Sequence, residues 1–317
     1  MSLMAWIALF PGQGSQTVGM LAELGDARPV ILDTFAEASE ALGFDLWALA
    51  QSGSPDQLSK TEVTQPLLLT AGVAMMRAWR AAGGSEPRLA AGHSLGEYTA
   101  LTAFGAFQLV DAVKLVEARG RFMQQAVADG VGAMAAVIGL SDASIETLCA
   151  EVAAETDTVI DPVNYNAPGQ LVIAGHATGV EAVLPRLKEA GAKRALRLPV
   201  SAPFHCALMR PAAEQLSGVL ESTDIQVPTV PVIQNVSLKP ETDPDVIRAQ
   251  LVQQTYSPVR WTQTIEQLTD AGLDWAGEFG PGSVLCGLAK RMSTEIPHRP
   301  LATETQFQDT LEHMEGV

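Results

Sequence analysis

The chain has 317 residues, of which 47% are hydrophobic and 18% charged, and its formal net charge is −16 at pH 7. This composition is typical of a globular protein with enough apolar residues for one large domain, or for a large domain with a smaller one inserted. The acidic balance argues against nucleic acid as a partner, because binding phosphates requires a basic surface. No run of about 18 apolar residues is present, so we expect no membrane-spanning helix and no membrane partner.

The N-terminus and the cysteines indicate the compartment. The first residues carry no basic region and no cleavable signal pattern, so we expect a cytoplasmic protein. Cys149, Cys206 and Cys286 are widely spaced and odd in number, which fits neither a disulfide framework nor a zinc site. We interpret them as reduced thiols. Cys206 adjoins His205, but adjacent side chains of an extended chain point to opposite faces, so a nucleophilic role is disfavoured.

The first part of the chain alternates short apolar runs with segments of helical periodicity. This order predicts a mostly parallel sheet with helices on both faces. The predicted strands cover residues 6–10 and 89–92, and the predicted helices cover 30–49, 65–82, 97–107 and 110–129.

The pattern changes near residue 131 to the order β-α-β-β-α-β, which is that of the ferredoxin-like unit. The strands are predicted at 133–139, 158–164, 171–175 and 193–198, and the helices at 142–154 and 178–190. After it, strands are predicted at 230–235 and 275–279, and helices at 259–271 and 284–292. We therefore expect an α/β-hydrolase-like catalytic domain formed by residues 1–130 and 199–317, with a small ferredoxin-like subdomain inserted at 131–198.

A G-x-S-x-G motif, residues 92–96, lies directly after an apolar strand and before a helical segment. That context is the one a nucleophile elbow requires: the turn exposes the Ser94 hydroxyl, and the flanking glycines relieve crowding. The first amides of the following helix, Leu95 first, are unpaired donors at a positive helix end and can stabilise an oxyanion. The motif alone is common, but this context favours a catalytic serine over a structural turn.

A serine nucleophile needs a base, and His205 is the best candidate among five histidines. It follows the point where the chain leaves the inserted unit, and a serine followed much later by a histidine fits the α/β-hydrolase order. We expect His93 to point away from the cleft, while His176, His298 and His313 lie in the insert and near the C-terminus. On position alone, a catalytic base and a structural histidine stay equally open for His205.

A glycine loop at residues 11–16 follows the first strand. It fails as a dinucleotide-binding fingerprint, because Thr17 stands where the third glycine belongs. Its better use is to bring the Gln13 amide close to the serine as a second oxyanion donor. From these features alone, a generic serine esterase stays possible.

A set of specific segments occurs in a fixed order along nearly the whole chain. They are FPGQGSQ at 10–16, TQP at 64–66, GHSLGEY at 92–98, EARG at 117–120, NYNAPGQ at 164–170, SAPFH at 201–205, YSPV at 256–259 and EFGPG at 278–282. Together they resemble the bacterial malonyl-CoA:acyl carrier protein transacylases of fatty acid synthesis and the related acyltransferase domains of polyketide synthases.

The resemblance implies roles for the reacting groups. Ser94 would carry the malonyl ester, His205 would be its base, and the amides of Gln13 and Leu95 would form the oxyanion hole. Arg119 would pair its planar guanidinium with the free carboxylate of the malonyl group. Without the resemblance, an ordinary surface charge on a helix is the commoner reading of Arg119.

The resemblance also implies further contacts. Gln65 would line the acyl pocket, and Asn166, with Asn164 beside it, would touch the substrate. Gln254 matches the position that orients the histidine ring, with a neutral backbone or amide oxygen in place of the aspartate of a triad. In the polyketide domains, a phenylalanine where Phe204 stands accompanies malonyl rather than methylmalonyl, since its ring occupies the space of an α-methyl group.

The expected function is transfer of malonyl from malonyl-CoA to the phosphopantetheine thiol of acyl carrier protein in fatty acid biosynthesis. The reaction would run by a ping-pong mechanism through a malonyl ester of Ser94, with no metal or bound cofactor, in a monomer. An α/β-type hydrolase, which would need an acidic third residue, and a non-catalytic binding module are the alternatives.

Docking of the carrier protein poses an electrostatic problem, because acyl carrier proteins are themselves usually acidic. A local basic patch would then be needed, although ordinary solvated surface charges explain the same residues equally well. Two clusters qualify in the sequence: Lys188, Lys193, Arg194 and Arg197, and Lys290, Arg291 and Arg299.

Overall fold

The computed structural model describes residues 4–200, 202–269, 271–292 and 295–315, which form two sheets and the helices around them. The strands are β1 (Trp6–Phe10), β2 (Leu89–Gly92), β3 (Gly132–Ile138), β4 (Ile160–Ala167), β5 (Gln170–His176), β6 (Arg194–Arg197), β7 (Val232–Ile233), β8 (Trp275–Glu278) and β9 (His298–Pro300).

One or more helices connect each consecutive pair of these strands except β4 and β5, and the last helix follows β9. Among the described residues, none of these helices is both long enough and apolar enough to cross a membrane. They are α1 (Ala22–Ala27), α2 (Pro29–Leu42), α3 (Leu46–Ser52), α4 (Pro55–Ser59), α5 (Thr61–Ala81), α6 (Leu95–Ala103), α7 (Leu109–Gln125), α8 (Asp142–Thr156), α9 (Ala177–Glu189), α10 (Arg210–Glu221), α11 (Pro244–Gln254), α12 (Trp261–Thr269), α13 (Val284–Ala289) and α14 (Glu304–Glu315).

The larger sheet is parallel, has the strand order β7-β2-β1-β8-β9, and is covered on both faces. Every residue of β1 is buried, as expected for a central strand between two helical layers. Trp6 and Phe10 pack into the core with α2, α5, α6 and α7, whereas Ile7 and Leu9 pack against Trp261 of α12 and its neighbours. The alternation of side chains along a strand explains this division.

The smaller sheet is antiparallel with the order β4-β5-β3-β6, and α8 and α9 pack against it around a separate apolar cluster. This is the ferredoxin-like arrangement predicted from the β-α-β-β-α-β order. The fold class is therefore the expected one: a parallel α/β sheet of the α/β-hydrolase kind with a small ferredoxin-like unit.

Backbone hydrogen bonds join the smaller sheet to the segment that follows α11. Tyr165 N donates to Val259 O at 2.9 Å, and Val259 N donates to Val163 O at 2.8 Å. These bonds attach β4 to the segment after α11. The small sheet is thereby held beside the carboxyl ends of β1 and β2.

Several predicted elements have different bounds in the structure. The helix predicted at 30–49 is two helices, α2 and α3, because Gly43 ends α2 in a left-handed conformation at φ 78°. The strand predicted at 230–235 is only the two-residue β7. No sequence pattern predicted α11, whose last residue, Gln254, belongs to the active site.

The turn from β2 into α6 is so tight that two of its positions have no space for a side chain. A Cβ atom at Gly92 would lie 1.8 Å from the backbone carbon of Gly96, and one at Gly96 would lie 2.0 Å from the carbonyl oxygen of Phe10. The obstacles are backbone atoms, which cannot rotate away. Both glycines of the G-x-S-x-G motif are thus required by close approach.

We predict that Gly96→Ala destabilises the protein by about 3 kcal/mol or more, since its methyl group must displace the backbone of β1. Gly218→Ala is the matched control, because Gly218 also lies in a helix but has no atom within 4 Å of an added Cβ. The control should gain about 0.5–1 kcal/mol. Denaturant unfolding measures both, and equal stabilities of the two variants would contradict the close-approach argument.

Candidate active site

Ser94 lies at the sharpest point of the β2–α6 turn. Its backbone has φ 54° and ψ −110°, and it is the residue just before α6. A non-glycine residue in this conformation is strained, and such strain is typical of nucleophile elbows. Leu95 is the first helical residue, so its amide has no acceptor within the helix. The strain places the hydroxyl and this amide at the same edge of the sheet.

His205 is in direct contact with the serine hydroxyl. Its Nε2 lies 2.7 Å from Ser94 Oγ, and its Nδ1 lies 3.0 Å from the carbonyl oxygen of Gln254. A carbonyl can only accept, so Nδ1 carries the proton and Nε2 is the acceptor for the serine hydroxyl. Burial, together with the nearby Arg119 cation, lowers the pKa of His205 to about 3. The ring is therefore neutral near pH 7 and oriented to take the serine proton.

The carbonyl of Gln254 occupies the place of the aspartate in a serine triad. The sequence left open which oxygen orients His205, and the structure answers that it is the backbone oxygen. The Gln254 side chain makes separate contacts: its Oε1 accepts from Arg119 at 2.8 Å, and its Nε2 donates to Ser94 O at 2.9 Å. One residue at the end of α11 thus contacts the nucleophile, the base and the cation.

Arg119 is a buried cation beside the serine, with 1% of its surface exposed. Its guanidinium donates to Gln65 Oε1 at 2.8 Å, to Gln254 Oε1 and, at 3.4 Å, to Ser94 Oγ, and it lies over the ring of Tyr98. Burial lowers its pKa from the usual value. Within the described residues, no carboxylate lies within 4 Å of it and its Nε has no partner. Donors are therefore left for a ligand anion.

A cavity of about 130 Å³ opens at these groups. Ser94, His205, Arg119 and Gln65 line it together with several residues that the sequence analysis selected. Those are Gln13 and Leu95, Asn164 from β4 and Phe204. The remaining lining is mostly apolar, from Met123, Met134, Leu198 and Val200. A small acyl group with one charged end fits this combination of an apolar wall and a buried cation.

The expectation that His93 points away from the cleft was wrong. His93 lines the cavity, and its Nε2 lies 2.8 Å from Oδ1 of Asn166, near the end of β4. Burial lowers the pKa of His93, so the neutral ring donates this bond. The contact joins the elbow to the small sheet. Asn166 is not among the described residues that line the cavity, and its contact with substrate stays a prediction.

Asn235 and Glu97 stabilise the turn at Ser94 through hydrogen bonds, and no role was predicted for either from the sequence. Asn235 Oδ1 accepts from Ser94 N at 2.9 Å, and its Nδ2 donates to Gly92 O at 2.8 Å. Glu97 Oε2 accepts from Asn235 N and from Gln254 Nε2. A signal for Asn235 existed, because it follows β7, which pairs with β2, and residues after neighbouring parallel strands meet at one edge.

The cysteines and the described metal-ligating groups do not form a second reactive centre. The three cysteines are free and buried, and burial raises the pKa of the Cys206 thiol to about 12, which disfavours a thiolate nucleophile. No group of three or more His, Cys, Asp or Glu side chains in the described ranges is arranged to hold a metal ion. Ser201, in the SAPFH segment, lies outside the described residues.

The lowered pKa of His205 predicts the pH dependence of Ser94 acylation. A base with its pKa near 3 stays unprotonated through pH 5, so kcat/KM for acylation should be level from pH 8 to pH 5. Stopped-flow measurement of acylation tests this, with recovery of activity at pH 8 as the control for denaturation. A fall in kcat/KM with an inflection near pH 6.5 would contradict it, because an unperturbed histidine titrates there.

The family model of the acyl transferase domain matches residues 7–303. A malonyl CoA-acyl carrier protein transacylase of Escherichia coli strain K12 is 56% identical over 284 residues, which cover 90% of this chain and 91% of the relative.

Solved structures agree with the match to the family. The structure of a malonyl CoA-acyl carrier protein transacylase from Coxiella burnetii has a TM-score of 0.96 and 46% identity over 98% of each chain. A malonyl-transacylase solved in complex with a type II polyketide synthase acyl carrier protein has a TM-score of 0.95 and 49% identity, over 98% of this chain and 99% of that one. The chain belongs to the acyl transferase domain family.

Proposed function

We propose that the protein transfers malonyl from malonyl-CoA to the phosphopantetheine thiol of acyl carrier protein, through a malonyl ester of Ser94, in fatty acid biosynthesis. The observation that carries this proposal is the buried Arg119 guanidinium, which lies 3.4 Å from Ser94 Oγ and has no carboxylate partner among the described residues. An acyl group with its own carboxylate supplies the missing anion. The names of the relatives from Escherichia coli and Coxiella burnetii support the same substrate.

Acylation follows from the hydrogen bonds of the site. His205 Nε2 takes the proton as Ser94 Oγ attacks the thioester carbonyl, and the Gln254 carbonyl stabilises the imidazolium that forms. The amides of Gln13 and Leu95, which both line the cavity, stabilise the oxyanion of the tetrahedral intermediate. The imidazolium then protonates the leaving sulfur, and coenzyme A departs.

The second half-reaction runs the same steps in reverse with a different thiol. The phosphopantetheine thiol of the carrier protein gives its proton to His205 and attacks the Ser94 ester. The tetrahedral intermediate collapses, the serine regains its proton, and malonyl leaves on the carrier. Because both substrates use one covalent intermediate, ping-pong kinetics are expected.

A hydrolase is the second candidate, and the orienting group of His205 favours the acyltransferase over it. An α/β-type hydrolase uses an acidic third residue, whereas a neutral carbonyl, that of Gln254, contacts His205 Nδ1. In addition, the Arg119 contact would hold a malonyl ester against a mostly apolar wall, which limits the access of water.

The substrate contacts follow from the cavity lining. Gln65 accepts from Arg119, Asn164 lines the cavity beside the space for the acyl group, and Phe204 narrows the space beside the base. Such a wall next to the α-carbon favours malonyl over methylmalonyl. Asn166 acts on the substrate through His93 in this scheme.

Several wider features stay predictions from the sequence. We propose that residues 131–198 are a subdomain inserted between 1–130 and 199–317, and the separate apolar cluster around β3 and β5 supports this division. We also expect a cytoplasmic monomer that binds no nucleic acid. The basic clusters remain candidates for carrier docking, although Arg197 is already paired with Glu181 at 3.0 Å.

Ser94→Ala should abolish covalent labelling by radioactive malonyl-CoA, because no other described nucleophile lies at His205 Nε2. The exposed Ser222 provides a control variant, Ser222→Ala, which should label fully. Gel analysis after denaturation measures the label. Persistent label on Ser94→Ala would refute Ser94 as the site of the covalent intermediate, and release of free malonate without carrier protein would favour the hydrolase.

Arg119→Ala should lower malonyl transfer by about 100-fold or more, since a bidentate charged contact is lost, and should raise the relative rate with acetyl-CoA. Arg121→Ala is the matched control: Arg121 lies on the same helix but at the surface, paired with Glu117. Competition between the two thioesters measures the preference. An unchanged malonyl preference in Arg119→Ala would remove this residue from carboxylate recognition.

A further inference from the structure

Glu97 is a buried carboxylate one turn after the nucleophile. It lies in α6 with none of its surface exposed. Its Oε2 accepts two hydrogen bonds, from Asn235 N at 3.0 Å and from Gln254 Nε2 at 2.8 Å. Its Oε1 has no partner among the described residues. A buried carboxylate is costly, and the mechanism above does not use this one.

The first partner of Glu97 holds the serine from behind. Asn235 accepts from Ser94 N through Oδ1 and donates to Gly92 O through Nδ2, so one side chain spans both ends of the strained turn. The backbone amide of Asn235 is fixed by Glu97. Glu97 therefore limits the movement of the residue that holds Ser94 in its strained conformation.

The second partner links the base and the cation. Gln254 Nε2 donates to Glu97 and to Ser94 O, which leaves its Oε1 facing Arg119. A carboxylate oxygen can only accept, so the Nε2 end of the Gln254 amide faces Glu97 and the Oε1 end faces Arg119. The same residue orients His205 through its backbone oxygen.

We propose that Glu97 is a positioning residue for Ser94 acylation: by accepting both bonds at Oε2, it fixes Asn235 behind the serine and fixes the Gln254 amide that orients Arg119. This inference rests on the proposed function of Ser94. It concerns the position of one acceptor oxygen and not the negative charge, because a single oxygen takes both bonds while the other takes none. Burial raises the pKa of Glu97 to about 7, which agrees with a role that does not need the charge.

Two conservative variants separate the acceptor position from the charge. Glu97→Gln keeps the length of the side chain and one acceptor oxygen, and its amide nitrogen takes the place of the unpartnered Oε1. Glu97→Asp keeps the charge but shortens the side chain by one methylene group, which moves its oxygens away from Asn235 N and Gln254 Nε2. Glu278 offers the matched control, since it is equally buried and also accepts two amides, those of Leu285 and Cys286.

Each variant, with Glu278→Gln and Glu278→Asp beside it, is measured by single-turnover acylation with malonyl-CoA and with acetyl-CoA from pH 6 to pH 8. Each acylation rate is divided by the concentration of protein that labels at Ser94, which removes the contribution of unfolded protein. Glu97→Gln should stay within about 3-fold of the wild type at every pH. Glu97→Asp should acylate about 10-fold more slowly, equal to about 1.4 kcal/mol, and should prefer malonyl over acetyl less strongly. Both Glu278 variants should lower the stability of the protein without changing the acylation rate per labelled serine.

The reverse order, with Glu97→Asp active and Glu97→Gln impaired, would overturn the proposal in favour of a charge effect. An inflection near pH 7 that is present in the wild type and absent in Glu97→Gln would do the same. Normal rates per labelled serine in both Glu97 variants would reduce Glu97 to a structural role, and equal losses in both would also refute the acceptor-position account. Failure of the wild type to label at Ser94 would instead refute the proposed function.

Discussion

The site depends on a buried positive charge that has no carboxylate within 4 Å among the described residues. The Arg119 guanidinium is almost completely removed from water, and the described residues that bind it are neutral amides, a hydroxyl and an aromatic ring. Burying a charge without a direct ion pair is costly, and a ligand carboxylate would offset that cost. The same cation helps to keep His205 neutral. Burial is the larger cause of the neutral base, and Arg119 therefore contributes both to substrate recognition and to the readiness of the base.

The second constraint is the closeness of the β2–α6 turn. Its two glycines allow the backbones of β1 and α6 to approach each other, and Ser94 between them has a strained backbone conformation with φ 54°. Strained backbone persists only where its surroundings fix it, and here Asn235 and Gln254 bind the amide and the carbonyl of the serine. Rigid support of this kind holds the hydroxyl at hydrogen-bond distance from His205 before any substrate binds.

Local patterns in the sequence predicted much of this arrangement. The elbow was predictable because the strand, the serine and the helix are adjacent in the chain, and the order of strands and helices predicted both sheets. The burial of Arg119 came only from the family resemblance, since helical periodicity does not show which neighbours cover a face.

Other parts depend on contacts that a single sequence does not display. Asn235 bonds to Ser94 across 141 positions, and the group that orients His205 is a backbone carbonyl, for which no residue type is diagnostic. The two-helix form of residues 29–52 was missed because the periodicity continues across Gly43, where a left-handed conformation ends α2. His93 was misplaced because the small sheet supplies its partner, Asn166.

The most direct measurement of the central claim is a crystal structure of the malonyl-Ser94 intermediate, trapped in the absence of carrier protein. The account predicts that the malonyl carboxylate lies within hydrogen-bond distance of the Arg119 guanidinium, in the cavity beside Gln65, while His205 keeps its bond to the Gln254 carbonyl. A malonyl carboxylate that points to solvent, with the Arg119 contacts unchanged, would contradict it.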